Sequence, residues 1–126
     1  MSKKIIIGGS MKFRDLIKET MGRFKNLGIT ALFPNIDYTS ENRDVACDEN
    51  EKLKLARGHY RAIEEADAVY FILPKGYMGS SCKIELGYAL ALKKPIYFSE
   101  ETGEMDLDCY CEKIIPLGRL EMFMDE

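Results

Sequence analysis

The run AVYFILP, residues 68–74, constrains this chain more than any other stretch. It is apolar throughout and rich in β-branched and aromatic side chains. A strand without polar alternation has no face to offer water, so it must lie centrally and be covered on both sides.

The remaining segments supply its neighbours and its covers. KKIIIGG (3–9) is a short β-rich run that ends in glycines. KFRDLIKETMGRFKNLG (12–28) carries Phe13, Leu16, Ile17, Met21, Phe24 and Leu27 at helical spacing, with Gly28 placed to stop the helix. ITALFP (29–34) reads as a second buried strand. NIDYTSENRDVACDEN (35–50) has turn and acidic residues without a period and reads as a long loop, with room for a short helical piece. EKLKLARGHYRAIEEAD (51–67) is a helix with Leu53, Ala56, Tyr60 and Ile63 along one stripe. After AVYFILP come a Gly/Ser loop and a third helix starting near Ser81. PIYFSE (95–100) is a fourth strand, MDLDCYCE (105–112) a short helix, KIIPL (113–117) a fifth strand, and RLEMFM (119–124) a closing helical turn or two.

Strand and helix alternate five times, with no repeat, linker or low-complexity tract. This predicts one α/β domain over residues 1–126: a doubly wound, flavodoxin- or Rossmann-like five-stranded parallel sheet with helices on both faces. Ligands of such sheets bind outside the carboxyl ends of the strands, where strand order reverses. With strand 1 beside strand 3, that crevice is bounded by GGSMK (8–12) and PKGYMGSS (74–81). These are also the Gly/Ser-rich loops of the chain, so topology and composition point to one place.

The chain has 126 residues, 46% of them hydrophobic, and a net charge of -3 at pH 7. That balance gives no electrostatic case for a nucleic-acid polymer or an anionic membrane as partner, although a local pocket can still be positive. The opening MSKKIIIGGS has an apolar run too short for a signal-peptide core, broken at Gly8 and Gly9, and no stretch approaches a membrane span. Cys47, Cys82, Cys109 and Cys111 match no common zinc spacing. A cytoplasmic protein with free thiols, no metal and no cofactor is expected.

Gly8, Gly9, Ser10 and Met11 follow strand 1. They make either a tight turn or a cradle of backbone N–H groups for a polar or anionic ligand. Gly76, Gly79, Ser80 and Ser81 likewise form either a turn with an N-cap serine or a seat for hydroxyl or phosphate groups. Tyr77 between them either stacks on a base or covers the pocket.

Glu85 is tested by counting. A capping box needs Glu or Gln three residues after the capping Ser or Thr. From Ser80 that position is Lys83, and from Ser81 it is Ile84, so Glu85 serves neither serine. It either pairs with a cation, points into the crevice or rests at its rim, and its early helical position favours the ionised carboxylate. His59, the only histidine, is either a half-buried helix residue or, facing the crevice, a general acid. Asp67 reads as a structural turn residue. Asp37, Glu41, Asp44 and Asp48 read as solvated loop carboxylates, or as part of a lid. Lys12, Arg14, Arg43 and Lys75 are the loop cations available to a phosphate.

The tripeptide GSM after the first strand, IEEADAVYFILP (63–74) and GYMGSSCKIELGYALALKKPIYF (76–98) together resemble the nucleoside 2-deoxyribosyltransferase-like superfamily, which includes the 2'-deoxynucleoside 5'-phosphate N-hydrolases. The most specific part is the small-residue loop followed by ELGYALALKKP, with Lys93 where the family commonly has glycine. The resemblance implies homodimers or larger homo-oligomers acting on a small nucleoside or nucleotide. It implies that the Glu85 carboxylate attacks the anomeric C1', the base leaves, and a glycosyl-enzyme ester is resolved by a second base or by water with retention. Two positions depart from the family pattern. His59 stands where the transferases carry an acidic residue, and Gly79 stands where they carry an acidic residue or the hydrolases a serine. His59 as a substitute general acid is one expectation. The alternatives are a nucleotide-sensing module that binds without cleaving, and cleavage of NAD through the same glutamate.

Overall fold

The computed structural model describes residues 3–37 and 48–126. Glu41, Arg43, Asp44 and Cys47 therefore lie outside the described residues, and so does most of the segment read as a loop or lid.

Five parallel strands form one sheet: β1 (Lys4–Gly8), β2 (Thr30–Leu32), β3 (Ala68–Phe71), β4 (Ile96–Phe98) and β5 (Lys113–Ile114), in the order β2-β1-β3-β4-β5. Between them lie α1 (Arg14–Asn26), α2 (Glu49–Glu65), α3 (Ser80–Ala91) and the single turn α4 (Met105–Asp108). Short 3₁₀ segments run over Met11–Phe13, Pro74–Gly76 and Leu117–Asp125. No helix among the described residues is long and apolar enough to cross a membrane.

Strand side chains alternate between the two faces of a sheet, and here both faces are apolar. Ile5, Ile7, Tyr70, Ile72 and Tyr97 point to one side. They pack with Ile17 and Phe24 of α1 and with Leu120 and Phe123 of the closing 3₁₀ segment. Ile6, Val69, Phe71, Leu73, Ile96 and Phe98 point to the other, against Ile63 of α2 and Cys82, Leu86 and Ala89 of α3. The all-apolar run 68–74 is thus buried on both faces as its composition requires. Tyr70 satisfies its hydroxyl inside the core by donating to the Ile115 carbonyl.

Three local expectations are corrected. ITALFP is not a buried strand: β2 is the sheet edge, paired with β1 alone, and Leu32 is exposed, while the flanking Ile29 and Phe33 turn inward. The inward stripe of α2 is Ala56, His59 and Ile63 rather than one through Leu53, which is exposed. The inward row runs at positions i, i+3 and i+7, lining the cleft at Ala56 and His59 and entering the core at Ile63, and Leu53 falls off that row. Finally, α3 starts at Ser80 with Gly79 as its N-cap and no side-chain cap, so neither serine caps it. Asp67 accepts a hydrogen bond from the Lys4 backbone N–H at 2.8 Å and ties the end of α2 to β1, a structural task. Asp48 caps α2 by accepting from the Glu51 N–H at 2.8 Å, and Asp37 pairs with Lys18.

The chain leaves β1 outward to β2 and returns to β3 on the opposite side. Strand order therefore reverses between β1 and β3, which pair from Ile5↔Ala68 to Gly8↔Phe71. A side chain at Gly8 would begin 2.4 Å from the Phe71 ring. Gly8→Ala should cost about 1–3 kcal/mol through overpacking. Gly22→Ala, in α1 with nothing within 4 Å of the added carbon, should instead stabilise by about 0.5–1 kcal/mol. Urea unfolding of the two variants against the parent checks the pair. A Gly8→Ala protein as stable as the parent would show that the β1–β3 seam can loosen without penalty.

Candidate active site

The two Gly/Ser loops meet at the carboxyl ends of β1 and β3 because those strands are neighbours. Glycine relieves close contacts in both loops, tightly at Gly9 and without alternative at Gly76. A Cβ at Gly9 would sit 3.2 Å from Ile17 and 3.4 Å from the Ile72 carbonyl oxygen. Gly76 has φ +75° and its backbone lies against the Glu101 carbonyl, 2.6 Å from where a Cβ would stand. Only glycine fits both the left-handed angle and the contact.

Together the loops, the end of β2 and one face of α2 enclose a cleft of about 470 Å³. Gly9, Ser10, Met11 and Lys12 form one wall, and Tyr77, Gly79, Ser80 and Ser81 the opposite one. Ser10 accepts a hydrogen bond from the Lys12 N–H at 3.3 Å, closing the turn after β1. Lys12 Nζ lies 3.5 Å from the centre of the Tyr77 ring, a cation–π contact that links the two loops. Phe13 meets the same ring edge-on at 6.1 Å. Gly79 caps α3 without a side chain, so the first N–H groups of that helix receive no N-cap side-chain hydrogen bond, and its first residues stand at the cleft wall.

Glu85 and His59 also line the cleft. Glu85 is 8% exposed and His59 6% exposed, so neither is a surface charge. Their closest approach is 3.6 Å, from His59 Nε2 to Glu85 Oε1, longer than a good hydrogen bond. The His59 ring lies edge-on to Phe33 at 5.2 Å. Burial pushes the Glu85 carboxyl up from its ordinary 4.5 to about 8, and Lys52 opposes that only in part. Burial holds His59 down from 6.5 to about 4, against a hydrogen bond to the Ile7 backbone. The contact alone suggests an ion pair, but desolvation of two charges so deeply buried favours the uncharged arrangement. Burial thus pushes the two groups in the sense that favours one proton on Glu85 over the ion pair. The expectation from helix position is a favoured carboxylate; burial instead pushes the Glu85 carboxyl up.

Gly9, Ser10, Met11, Tyr77, Gly79, Ser80, Ser81, His59 and Glu85 are thus brought together. Gly8 stays outside the cleft, in the β1–β3 seam. Lys12 reaches the site, whereas Arg14 and Lys75 are not among its lining residues. Sequence reasoning missed Lys52, Phe33, Pro34 and Asn35. Lys52 had a signal, since it lies seven residues before His59 and so on the same helix face. Phe33 to Asn35 follow β2 at the same end of the sheet, where the strand-end rule points. Among the described residues, no three His, Cys, Asp or Glu side chains come together to hold a metal ion.

The titration of the buried pair predicts how stability depends on pH. Between 4.5 and about 8 the folded chain keeps a proton on Glu85 that the unfolded chain loses, so this group makes folding weaker as pH rises. His59 acts in the opposite sense between about 4 and 6.5, so Glu85 alone governs the window from 6.5 to about 8. Glu85→Gln removes that decline. Relative to the parent it should gain roughly 2 kcal/mol across this window, measured by urea unfolding at either end. A constant difference between the two proteins would mean that Glu85 ionises freely in the folded state.

Comparison with known proteins places the site in context. The sequence over residues 7–114 matches the family model described as nucleoside 2-deoxyribosyltransferase. No curated protein matches the chain by sequence. Among solved structures, the fold is similar to that of a 2-deoxyribosyltransferase from the psychrotolerant bacterium Bacillus psychrosaccharolyticus. That superposition has a TM-score of 0.68 at 16% identity and covers 94% of this chain and 90% of the other. It is also similar to the CMP N-glycosidase of Clostridium botulinum, with a TM-score of 0.57 at 17% identity and 98% of each chain covered. The family match begins in β1 and ends in β5, and so takes in both loops of the cleft and Glu85: the chain belongs to the nucleoside 2-deoxyribosyltransferase family.

Proposed function

We propose that this protein cleaves the N-glycosidic bond of a deoxynucleoside or its 5'-monophosphate, with Glu85 as the nucleophile. The observation that carries this is a buried carboxyl, the only one among the described residues that lines the cleft, at the β1–β3 switch point of a family member. A carboxylate there forms an ester with C1' as the base departs, and water or a second base then releases the sugar with retention. Phe33, Pro34, Leu55 and Met11 give the cleft apolar surface suited to a flat heterocycle. Ser10, Ser80 and Ser81 suit the sugar hydroxyls. Lys12 and Lys52, with the open N-terminus of α3, suit an anionic substituent, so the 5'-monophosphate is the better substrate.

Incubation with a panel of deoxynucleosides, their 5'-monophosphates and NAD, with and without an acceptor base, should release free base from at least one deoxy substrate. Glu85→Gln should lower that rate at least about a thousandfold. Chromatography follows the base, and intact-mass measurement of rapidly quenched enzyme detects the sugar adduct. No release from any substrate, or equal release by Glu85→Gln, sinks the proposal. Thermal stabilisation by a nucleotide without turnover would favour a binding module instead.

A further inference from the structure

The proposed reaction needs two things of opposite kind, an ionised nucleophile and an acid for the departing base. Retaining glycosidases divide these between two carboxyl groups. Among the described residues this cleft has one. The groups that face it are Lys52 and His59 from α2, Cys82 and Glu85 from α3, and Lys12 and Tyr77 from the loops, with Tyr60 of α2 near enough to feel the charge on Glu85. Lys12 rests on the Tyr77 ring. Burial and the neighbouring Glu85 push the Cys82 thiol up to about 12, which leaves it a poor acid.

We infer that the proton that leaves with the base is stored on the nucleophile itself, and that His59 carries it from the Glu85 carboxyl to the departing base. The inference rests on the glycosidic reading above and says how that site manages its proton. His59 Nε2 is buried, makes no hydrogen bond, and faces Glu85 Oε1 at 3.6 Å. With Nε2 toward Glu85, the Ile7 backbone, which raises the His59 pKa against burial, favours the tautomer with its proton on Nδ1, and this leaves Nε2 as a bare acceptor. The edge contact with Phe33 steadies the ring in that orientation.

A proton moves from the Glu85 carboxyl to Nε2, giving carboxylate and imidazolium with no change in net charge. The carboxylate oxygen then bonds to C1', the C1'–N bond breaks, and its electron pair leaves with the base. Nε2 gives that base the proton. This leaves a glycosyl ester, a neutral base and a neutral imidazole. In the second half, the attacking water or base loses its proton to Nε2 as it bonds to C1'. The carboxylate is released and takes the proton back. Positive charge developing at C1' favours the carboxylate at the moment it is needed, against the desolvation that otherwise opposes it.

The test uses the full chain and two substrates: the best nucleoside or nucleotide, and a 4-nitrophenyl deoxyriboside with the same 5' substituent, whose phenolate leaves without a proton. Wild-type turnover of the natural substrate should fall above pH of about 8, where the pair loses its proton. Turnover of the nitrophenyl substrate should not fall there. His59→Gln should lose about 10²–10³-fold on the natural substrate and less than about tenfold on the nitrophenyl one at alkaline pH. Carbon-13 NMR of the Glu85 carboxyl in the wild-type protein, which needs no variant to fold, should show it protonated at pH 7. An ionised Glu85 at pH 7, or equal losses on both substrates with unchanged pH profiles, overturns the route while leaving the nucleophile in place. Failure of the wild type to turn over either substrate overturns the glycosidic reading and the route with it.

Discussion

Everything in the site depends on β1 and β3 lying side by side in parallel register. Gly8 opposite Phe71 closes that seam so tightly that no side chain fits, and the next residues of both strands leave the sheet together. Two loops remote in sequence therefore become the two walls of one cleft. The seam is held by the most buried strands of the molecule, with Ile5, Ile6, Ile7, Val69, Tyr70 and Phe71 fully enclosed. Rigid strands beneath short loops are a sound way to hold reacting groups in position.

The same burial sets the chemistry. A carboxyl at the surface would be ionised, well solvated and a weak nucleophile toward an anomeric carbon. Enclosed beside an imidazole and away from water, the Glu85 carboxyl is raised to about 8 and the His59 ring lowered to about 4. The two values are pushed apart in the sense that moves the proton onto the carboxyl. An acidic residue in place of His59 would set two like charges against each other across the cleft floor. An imidazole forms a pair that is neutral with one proton, whichever partner holds it.

Much of this was legible in the chain. AVYFILP announced a strand covered on both faces, and the alternation of strands and helices led to the sheet and its switch point. Counting from Ser80 and Ser81 removed Glu85 from the capping role, and Gly79 does take the cap. What was not legible came from tertiary placement. ITALFP is apolar enough for a central strand, but its position at the sheet edge leaves Leu32 exposed. On α2, Leu53 and Lys52 are neighbours in sequence; the spacing to His59 puts Lys52 on the same helix face, but which face of α2 meets the cleft is set by packing. The upward push on the Glu85 carboxyl was missed because a helix N-terminus is visible in sequence, whereas the desolvation that opposes it depends on what folds over the residue.

The position of Glu85 on α3 explains how a buried carboxyl is tolerated at all. Cys82, Glu85, Leu86 and Ala89 are the buried residues of this helix, spaced three, four and seven apart on one face. Glu85 thus lies on the stripe that anchors α3 to β3 and β4, at the level where that stripe passes from the core into the cleft. Cys82 shares this border, lining the cleft while packing in the core cluster. The contacts of Leu86 and Ala89 below hold the helix, and the helix holds the carboxyl where water is scarce. Turning α3 to expose Glu85 would also turn Leu86 and Ala89 out of the core, so the desolvation of the carboxyl is enforced by hydrophobic packing that has no part in the chemistry.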